Sequence, residues 1–397
     1  MPISQRPQGR PQRAPKTPDT SYYNDASALP DKGTTPDLII LGAGAAGLMT
    51  AITAAQRGKR VLLIDHGHKA GRKILIAGGG RCNFTNTNAD PSEYVSGQAV
   101  FCRSALSRFT PWDMVAMLEA KGIPWEEREH GELFCTQSAE DLRDMLLERC
   151  RDLGCWFAMG HSISACSYND QAALFTVDTD KGPFSAPKLL IATGSPAWEQ
   201  VGATNIGYKL AKSLGHHIIT PRPVLVPLTM PPLWPLHGLQ GISLKAAVTA
   251  GGHTFTRDML FTHRGLSGPA ILSASCHWIE KAAITINFLP DLNIKEACES
   301  PEHRRQLVRT MLARLLPTRL AERLSTGPLK DFADRKAAEL SKAQRQILAD
   351  TVHAHAVIPS GTEGLRRAEA AAGGVHTKEL NPKTLESRIQ PNLYFAG

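Results

Sequence analysis

Three glycines, Gly42, Gly44 and Gly47, stand at Gly-x-Gly-x-x-Gly spacing between the apolar run Leu38–Leu41 and a helix-like stretch, AAGLMTAITAAQR, that opens at Ala45. At that place each glycine has a separate reason. The first permits a tight turn, the second lets a pyrophosphate approach the backbone, and the third lets helix and strand pack closely. Ala43, Ala45 and Ala46 belong to the same loop and are expected to line the same ligand. The helix start adds free N–H groups and a positive dipole end, both suited to phosphate. Asp65 closes the next apolar run, Val61–Ile64, and lies 23 residues after Gly42, the distance at which a carboxylate can grip a ribose hydroxyl. Strand, glycine turn, helix, strand and acid together read as a βαβ unit that binds a dinucleotide.

A second cluster follows, HGHKAGRKILIAGGGRCNFTN, where a nicotinamide-dependent enzyme would continue with further βαβ repeats. Successive glycines at 78, 79 and 80 give a backbone that can lie against a planar ring or wrap an oxyanion. Arg72, Lys73 and Arg81 can pair with phosphates, and Gly79, Gly80, Cys82 and Asn83 complete the expected contact set. Cys82 reads as a packed small residue more than as a nucleophile, since no partner for it stands nearby in sequence. His263, in the loop FTHRGLSGP, is the candidate acid or base toward substrate. Eight cysteines without a CxxC pair argue against a dithiol centre or zinc ribbon and fit a reducing cytoplasm. The pairs His216/His217 and His353/His355 lack further ligands at recognisable spacing, so no metal site is expected.

The elements that must position these residues follow from composition and pattern. The chain has 397 residues, 42% of them hydrophobic and 21% charged, enough for two or three globular domains. The first 35 residues, rich in Pro, Arg, Gln, Ser and Thr with no apolar stretch, read as a disordered tail rather than a signal peptide. The uncharged stretch Leu38–Ala55 is better explained as strand, glycine turn and helix than as a membrane span. The net charge of +8 is spread over the whole length without a dense basic block, so nucleic acid is not expected as a partner. Residues 246–261 read as a hairpin about Gly251-Gly252, Ile284–Phe288 as a strand, Ser300-Pro301 as the start of a helix through Leu316 that Pro317 ends, and Ser341 as the opening of another helix toward His353.

The string GAGAAGLMTAI…GRKILIAGGGRCNFTNTN resembles a bacterial FAD-binding flavoprotein family whose members are described as aminoacetone-oxidase-like or NAD(P)/FAD-dependent oxidoreductases, and which includes proteins similar to bile-acid 3-dehydro Δ4,6-reductases. LLIATGSPAW, GATNIGYKLAKSLGH, LFTHRGLSGPAIL and AAAGGVHTKELNPKTLESR…NLYFAG extend the likeness to the last residue. The resemblance implies an α/β fold: a glutathione-reductase-like, Rossmann-type FAD domain with inserted β-barrel-like and helical domains. The expected division is an FAD domain over 36–215 and 377–397, a β-rich insertion over 216–291 and 350–376, and a helical insertion over 292–349. It adds Thr193 and Gly194 to the cofactor contacts. Asp65-His66 stands where the family has Glu-Lys, Cys135 where it has Pro, and Ser195 where it has a second glycine. Family members run on past LYFAG, so by this likeness the chain stops short at Gly397.

The function that follows is an FAD-dependent oxidoreductase passing hydride between an organic small molecule, an amine or a conjugated enone, and flavin, with NAD(P)H as a further partner. The alternatives are a flavin-dependent protein of the tRNA-modifying type and a shortened chain that binds FAD poorly.

Overall fold

The computed structural model describes residues 29–31, 33–98 and 100–397. Nearly all of the tail expected over residues 1–35 lies outside them. The chain divides into two compact units: one formed by the described residues up to Ala89 with Arg108–Ala192 and Thr384–Gly397, the other by Asp90–Ser107 and Thr193–Lys383.

The first unit is built on five parallel strands, β1 (Leu38–Leu41), β2 (Val61–Asp65), β3 (Trp156–Met159), β4 (Leu189–Ile191) and β5 (Leu393–Phe395), in the order β5-β4-β1-β2-β3. All four residues of β1 are buried, as a central parallel strand covered on both faces requires. Helix α1 (Ala45–Ala55) makes the crossover from β1 to β2, which sets Leu38 beside Val61 and Leu41 beside Ile64. It stops two residues earlier than its pattern suggests, and Gly58 takes the positive φ that turns the chain into β2. Helices α2 (Arg72–Ile76) and α3 (Ala139–Asp152) pack against each other, and α3 also packs on α1. The α3 sequence explains its own limits. Ser138 accepts from the Glu140 N–H, Glu140 and Asp141 sit in the first turn, and Arg149 and Arg151 complement the dipole in the last. Its Leu142, Met145, Leu146 and Cys150 join Leu48, Ile52 and Leu63 in one core.

The second unit holds a seven-stranded antiparallel sheet in the order 355–357, 284–287, 243–250, 253–261, 265–267, 228–229, 361–362. The hairpin about Gly251-Gly252 is there, with strands Ser243–Ala250 and His253–Phe261. The sheet and the helices share one continuous core in which Val248, Met259 and Ile286 meet Met311, Leu312, Leu320 and Leu348. Residues 206–213 form a helix packed on the 218–224/370–375 ribbon, which is why the stretch after Ala192 clusters with this unit and not with the parallel sheet.

One expectation fails. No single helix runs from Ser300 to Leu316. The helix Ile294–Glu299 ends at Ser300, which is extended at φ −61°, ψ 146°, because a residue before proline avoids the α conformation. The chain turns through 301–307 and restarts as the helix Val308–Leu315. Pro317 caps the start of the next helix, Thr318–Thr326, instead of only ending the previous one. Ser341 does open a helix, Lys342–His353: its hydroxyl accepts from the Gln344 N–H at 3.2 Å while the Gln344 side chain accepts from the Ser341 N–H at 3.0 Å. Among the described residues no helix is long and apolar enough to cross a membrane. Replacing Ser341 by Ala removes one half of this reciprocal cap and is expected to lower stability by about 1 kcal/mol, read as a shift in the denaturant midpoint at unchanged slope.

Candidate functional site

The glycine loop sits where β1 meets α1. Gly42 turns the chain at φ +105°, and its N–H donates to the Ile64 carbonyl at 2.7 Å. A Cβ on Gly47 would stand 1.9 Å from the Gly42 carbonyl oxygen, so the helix can lie this close to the strand only on glycine. Gly44 is different. Its φ of −83° suits any residue, and a Cβ there would meet no atom of the protein within 4 Å. Neither conformation nor internal packing asks for glycine at 44. The space beside it is what a close-lying pyrophosphate needs.

The start of α1 suits an anion. Its N-cap is Gly44 with no side-chain cap, and its first turn holds no acid, so the N–H groups of Ala45 and Ala46 and the positive dipole end are uncompensated by side chains. Ala45 is exposed and Ala46 half-buried, both at the open end of the sheet. The last strand returns to the same place. The Ala396 N–H donates to Ile191 at 3.1 Å, and Gly397 lies against the Ala46 side chain.

Asp65 is at the end of β2 as expected, but its carboxylate is already engaged. One oxygen accepts from the Ala43 N–H at 2.8 Å; the other accepts from the Gly67 N–H at 2.7 Å and from the Arg72 guanidinium at 3.4 Å. A carboxylate has about four acceptor positions, so Asp65 can brace the loop and still take a ribose hydroxyl. Arg72, expected on phosphate, is folded onto Asp65 and onto the His66 ring at 3.1 Å. Lys73 is half-buried, and that burial lowers its pKa. Arg81 is exposed, with its guanidinium 3.9 Å from Glu126.

The second glycine cluster forms a left-handed turn after α2, with φ of +56°, +67° and +86° at Gly78, Gly79 and Gly80. Gly78 is held by packing, since a Cβ would fall 2.5 Å from the Phe134 ring, whereas Gly79 is exposed and faces open space. Asn83 opens a strand, Asn83–Asn86, paired with Glu132–Cys135. The Cys82 thiol is buried and, through desolvation and the neighbouring Cys135, pushed up to about 12. Cys135 is likewise pushed up, to about 11. The fold thus supplies the neighbour that the sequence hides, but both groups stay protonated thiols near neutrality, which makes them poor nucleophiles.

Two further residues support the loop and escape a reading of the sequence. Gly71 donates to the Ala43 carbonyl at 2.8 Å and stands at φ +68° before α2. Arg143 of α3, 8% exposed, lies over it with its stem and is paired to Asp144 at 2.6 Å. The glycine of AGRK is a legible signal; a buried arginine contributed by a distant helix is not.

Thr193 and Gly194, the latter at φ +72°, follow directly on Ala192 and fall in the second unit. So does His263. Thr262 exchanges hydrogen bonds with Gly265, its N–H reaching the Gly265 carbonyl at 2.8 Å and its hydroxyl accepting from the Gly265 N–H at 3.1 Å. This puts His263 on the tip of a turn, exposed, with no partner among the described residues. The other histidine pairs have structural work. His216 bonds Glu379 at 2.9 Å, and His353 bridges Asn287 at 2.8 Å and the Ile294 N–H at 2.9 Å.

The open positions at Gly44 and Gly79 and the uncapped start of α1 fit an FAD. Gly47→Ala is expected to destabilise the apoprotein by more than about 2 kcal/mol through the clash with Gly42. Gly44→Ala is expected to leave the apoprotein's melting temperature unchanged and to weaken FAD binding by roughly tenfold or more, measured by flavin fluorescence titration. Because folding raises the Cys82 pKa above its ordinary 9.0, the stability it contributes is present below about pH 9 and lost as pH rises toward 12. Native protein is accordingly expected to resist iodoacetamide at Cys82 at pH 8, while denatured protein reacts, as read by peptide mass spectrometry.

Residues 36–397 match the family described as HI0933-like protein Rossmann domain. The chain is 41% identical over 366 residues to the ribosomal RNA dihydrouridine synthase of Escherichia coli, covering 91% of this chain and 90% of that protein. It is 39% identical to the protein of that name from Haemophilus influenzae, covering 90% of each. It is 27% identical to the 3-dehydro-bile acid delta(4,6)-reductase of Clostridium scindens, covering 90% and 91%. With relatives so named, the expectation that nucleic acid is excluded as a partner no longer stands; a net charge averaged over the whole length said nothing about where the charge gathers. The glycine loop, the parallel sheet and the family match agree: the chain belongs to the HI0933-like family and is a Rossmann-fold, FAD-dependent oxidoreductase.

Proposed function

We propose that this protein reduces a carbon–carbon double bond conjugated to a carbonyl, and that its substrate is a uridine of ribosomal RNA, taken to dihydrouridine. The observation that carries the reading is the 41% identity to a ribosomal RNA dihydrouridine synthase across 91% of this chain, a span that takes in both units and the whole glycine loop. The chemistry of the relatives' names converges on one reaction type. The uracil C5=C6 bond is conjugated to the C4 carbonyl, and a delta(4,6) bond system in a 3-dehydro bile acid is conjugated to the C3 carbonyl. In both, hydride adds to the carbon β or more remote to the carbonyl and a proton completes the saturated bond. Of the two directions open to the sequence, amine oxidation and enone reduction, this favours the second.

FAD, when bound, supplies the hydride, and the reductive direction requires an electron donor of the NAD(P)H class to recharge it. The protein's own residues then do the holding. The N–H groups at the start of α1 and the space beside Gly44 take the pyrophosphate, Asp65 takes a ribose hydroxyl, and the backbone at exposed Gly79 and half-buried Gly80 approaches the ring. His263, exposed and unpartnered, is the proposed proton donor. A uridine inside a helix cannot reach such a site, so the base must be splayed out of its stack or taken from a single-stranded segment.

The test is reaction of FAD-loaded protein with NADPH and unmodified ribosomal RNA, followed by nucleoside mass spectrometry. Dihydrouridine formation supports the reading. Flavin that is reduced by NADPH but reoxidised only by a steroid dienone, with no dihydrouridine, would transfer the function to a small-molecule enone. His263→Gln is expected to lower kcat by about a hundredfold at unchanged flavin content.

A further inference from the structure

We infer that the paired segments 304–309 and 333–338 of the second unit form a docking surface for RNA phosphates; this rests on the reading above and says where the polyanion is held. Between Pro301 and Lys336 the chain carries nine Lys or Arg and four Asp or Glu, a net +5 out of the +8 of all 397 residues. Spaced along the sequence, these residues make no dense block. The fold gathers them. The Val308 N–H donates to the Arg335 carbonyl at 3.0 Å and the Arg309 N–H to Ala333 at 3.0 Å. The Ala337 N–H donates to Gln306 at 2.9 Å and the Ala338 N–H to Arg304 at 3.1 Å. With Leu307 opposite Lys336, the two segments lie antiparallel and bring five cations together.

The inner side of this pair is core, with Val308, Ala333 and Ala337 buried. The outer side is charge, and Arg304, Arg305, Arg309, Arg335 and Lys336 are all exposed. Two of them are compensated: Arg309 pairs with Asp334 at 3.0 Å and Lys336 with Glu339 at 3.3 Å. Outside the two segments, Glu302 sits beside the His303 ring at 3.8 Å and Asp331 precedes the second segment by two residues. Arg304, Arg305 and Arg335 have no carboxylate partner among the described residues.

Three guanidinium groups without carboxylate partners on one hydrogen-bonded pair of segments leave a local excess of positive charge that an anion would neutralise. Guanidinium groups suit phosphate because their planar fork can donate two parallel bonds to its oxygens. No large exposed apolar side chain lies on either segment, so the surface lacks the wedge that membrane insertion would need. RNA is the occupant that this charge pattern and the proposed substrate share. A contact of this kind carries no sequence information. It would hold the nucleic acid while other residues select the base.

The experiment compares full-length, FAD-loaded wild type with Arg304→Gln/Arg305→Gln/Arg335→Gln and with a charge-matched control on the first unit, Arg57→Gln/Lys59→Gln/Arg149→Gln. Binding of a fluorescein-labelled, mixed-sequence RNA oligonucleotide is titrated between roughly 50 and 200 mM salt. The expected result is an affinity loss of about tenfold or more and a log–log salt slope shallower by about two for the first variant only, with melting temperature, flavin content and NADPH-driven flavin reduction unchanged. Equal loss in both variants, or no loss in the first while wild type binds RNA, overturns the surface but leaves RNA as substrate. Wild type that binds no RNA overturns both. Loss of binding to phosphatidylserine vesicles at unchanged RNA affinity assigns the surface to a membrane and also overturns the inference.

Discussion

The approach of one helix to one strand governs the first unit. Gly47 stands over the Gly42 carbonyl so closely that a methyl group would overlap the oxygen. From this contact the rest follows. Helix α1 can enter β2 in parallel register with β1, its N-terminal N–H groups point at the open end of the sheet, and Asp65 arrives within reach of the Ala43 N–H. Side chains elsewhere could be exchanged for others of similar volume at modest cost. A side chain in place of this glycine would move the helix, and with it the N–H groups at its start.

The acid at the end of β2, proposed above for a ribose hydroxyl, is oriented by the fold itself. Asp65 is held by two backbone N–H groups and an arginine, so its carboxylate has a fixed direction before any ligand arrives. Arg72, by binding Asp65, contributes to the site indirectly. Of the cations that a sequence suggests for phosphate, Arg72 braces the acid, Arg81 faces solvent and Lys73 is half-buried. The buried Arg143 behind Gly71 extends the same bracing to α3.

Much of this was legible from residue order because local rules and the fold agree there. A strand, a glycine turn, a helix and an acid are adjacent in sequence, and each needs only its neighbours to be recognised. Ser341 was legible for the same reason, since a capping box is complete within four residues. Ser300-Pro301 misled because Ser-Pro both opens helices and, through the restriction on the residue before proline, closes them; the choice depended on whether 294–299 was already helical. The neighbours of Cys82 and of Gly71 were not legible, because Cys135 and Arg143 come from other elements. Nor was the gathering of arginines at 304–309 and 333–338, which exists only once two segments separated by two helices lie side by side. Net charge is a sum over the chain, and binding depends on its local density.

Strand β5 has a consequence for the order of events during synthesis. Leu393–Phe395 pairs with Leu189–Ile191, so the edge of the nucleotide-binding sheet is supplied only after the whole of the second unit has left the ribosome. Closing so long a loop adds little to the equilibrium cost, since loop entropy grows only with the logarithm of length. Its effect is kinetic. Domains tend to fold as they emerge, N-terminal first. Here the second unit can complete its own core while the first still exposes β4 as an unpaired edge, a ready template for association with another nascent chain. The nucleotide-binding sheet is therefore completed only after the second unit has been made, and until then β4 stays open to misassembly.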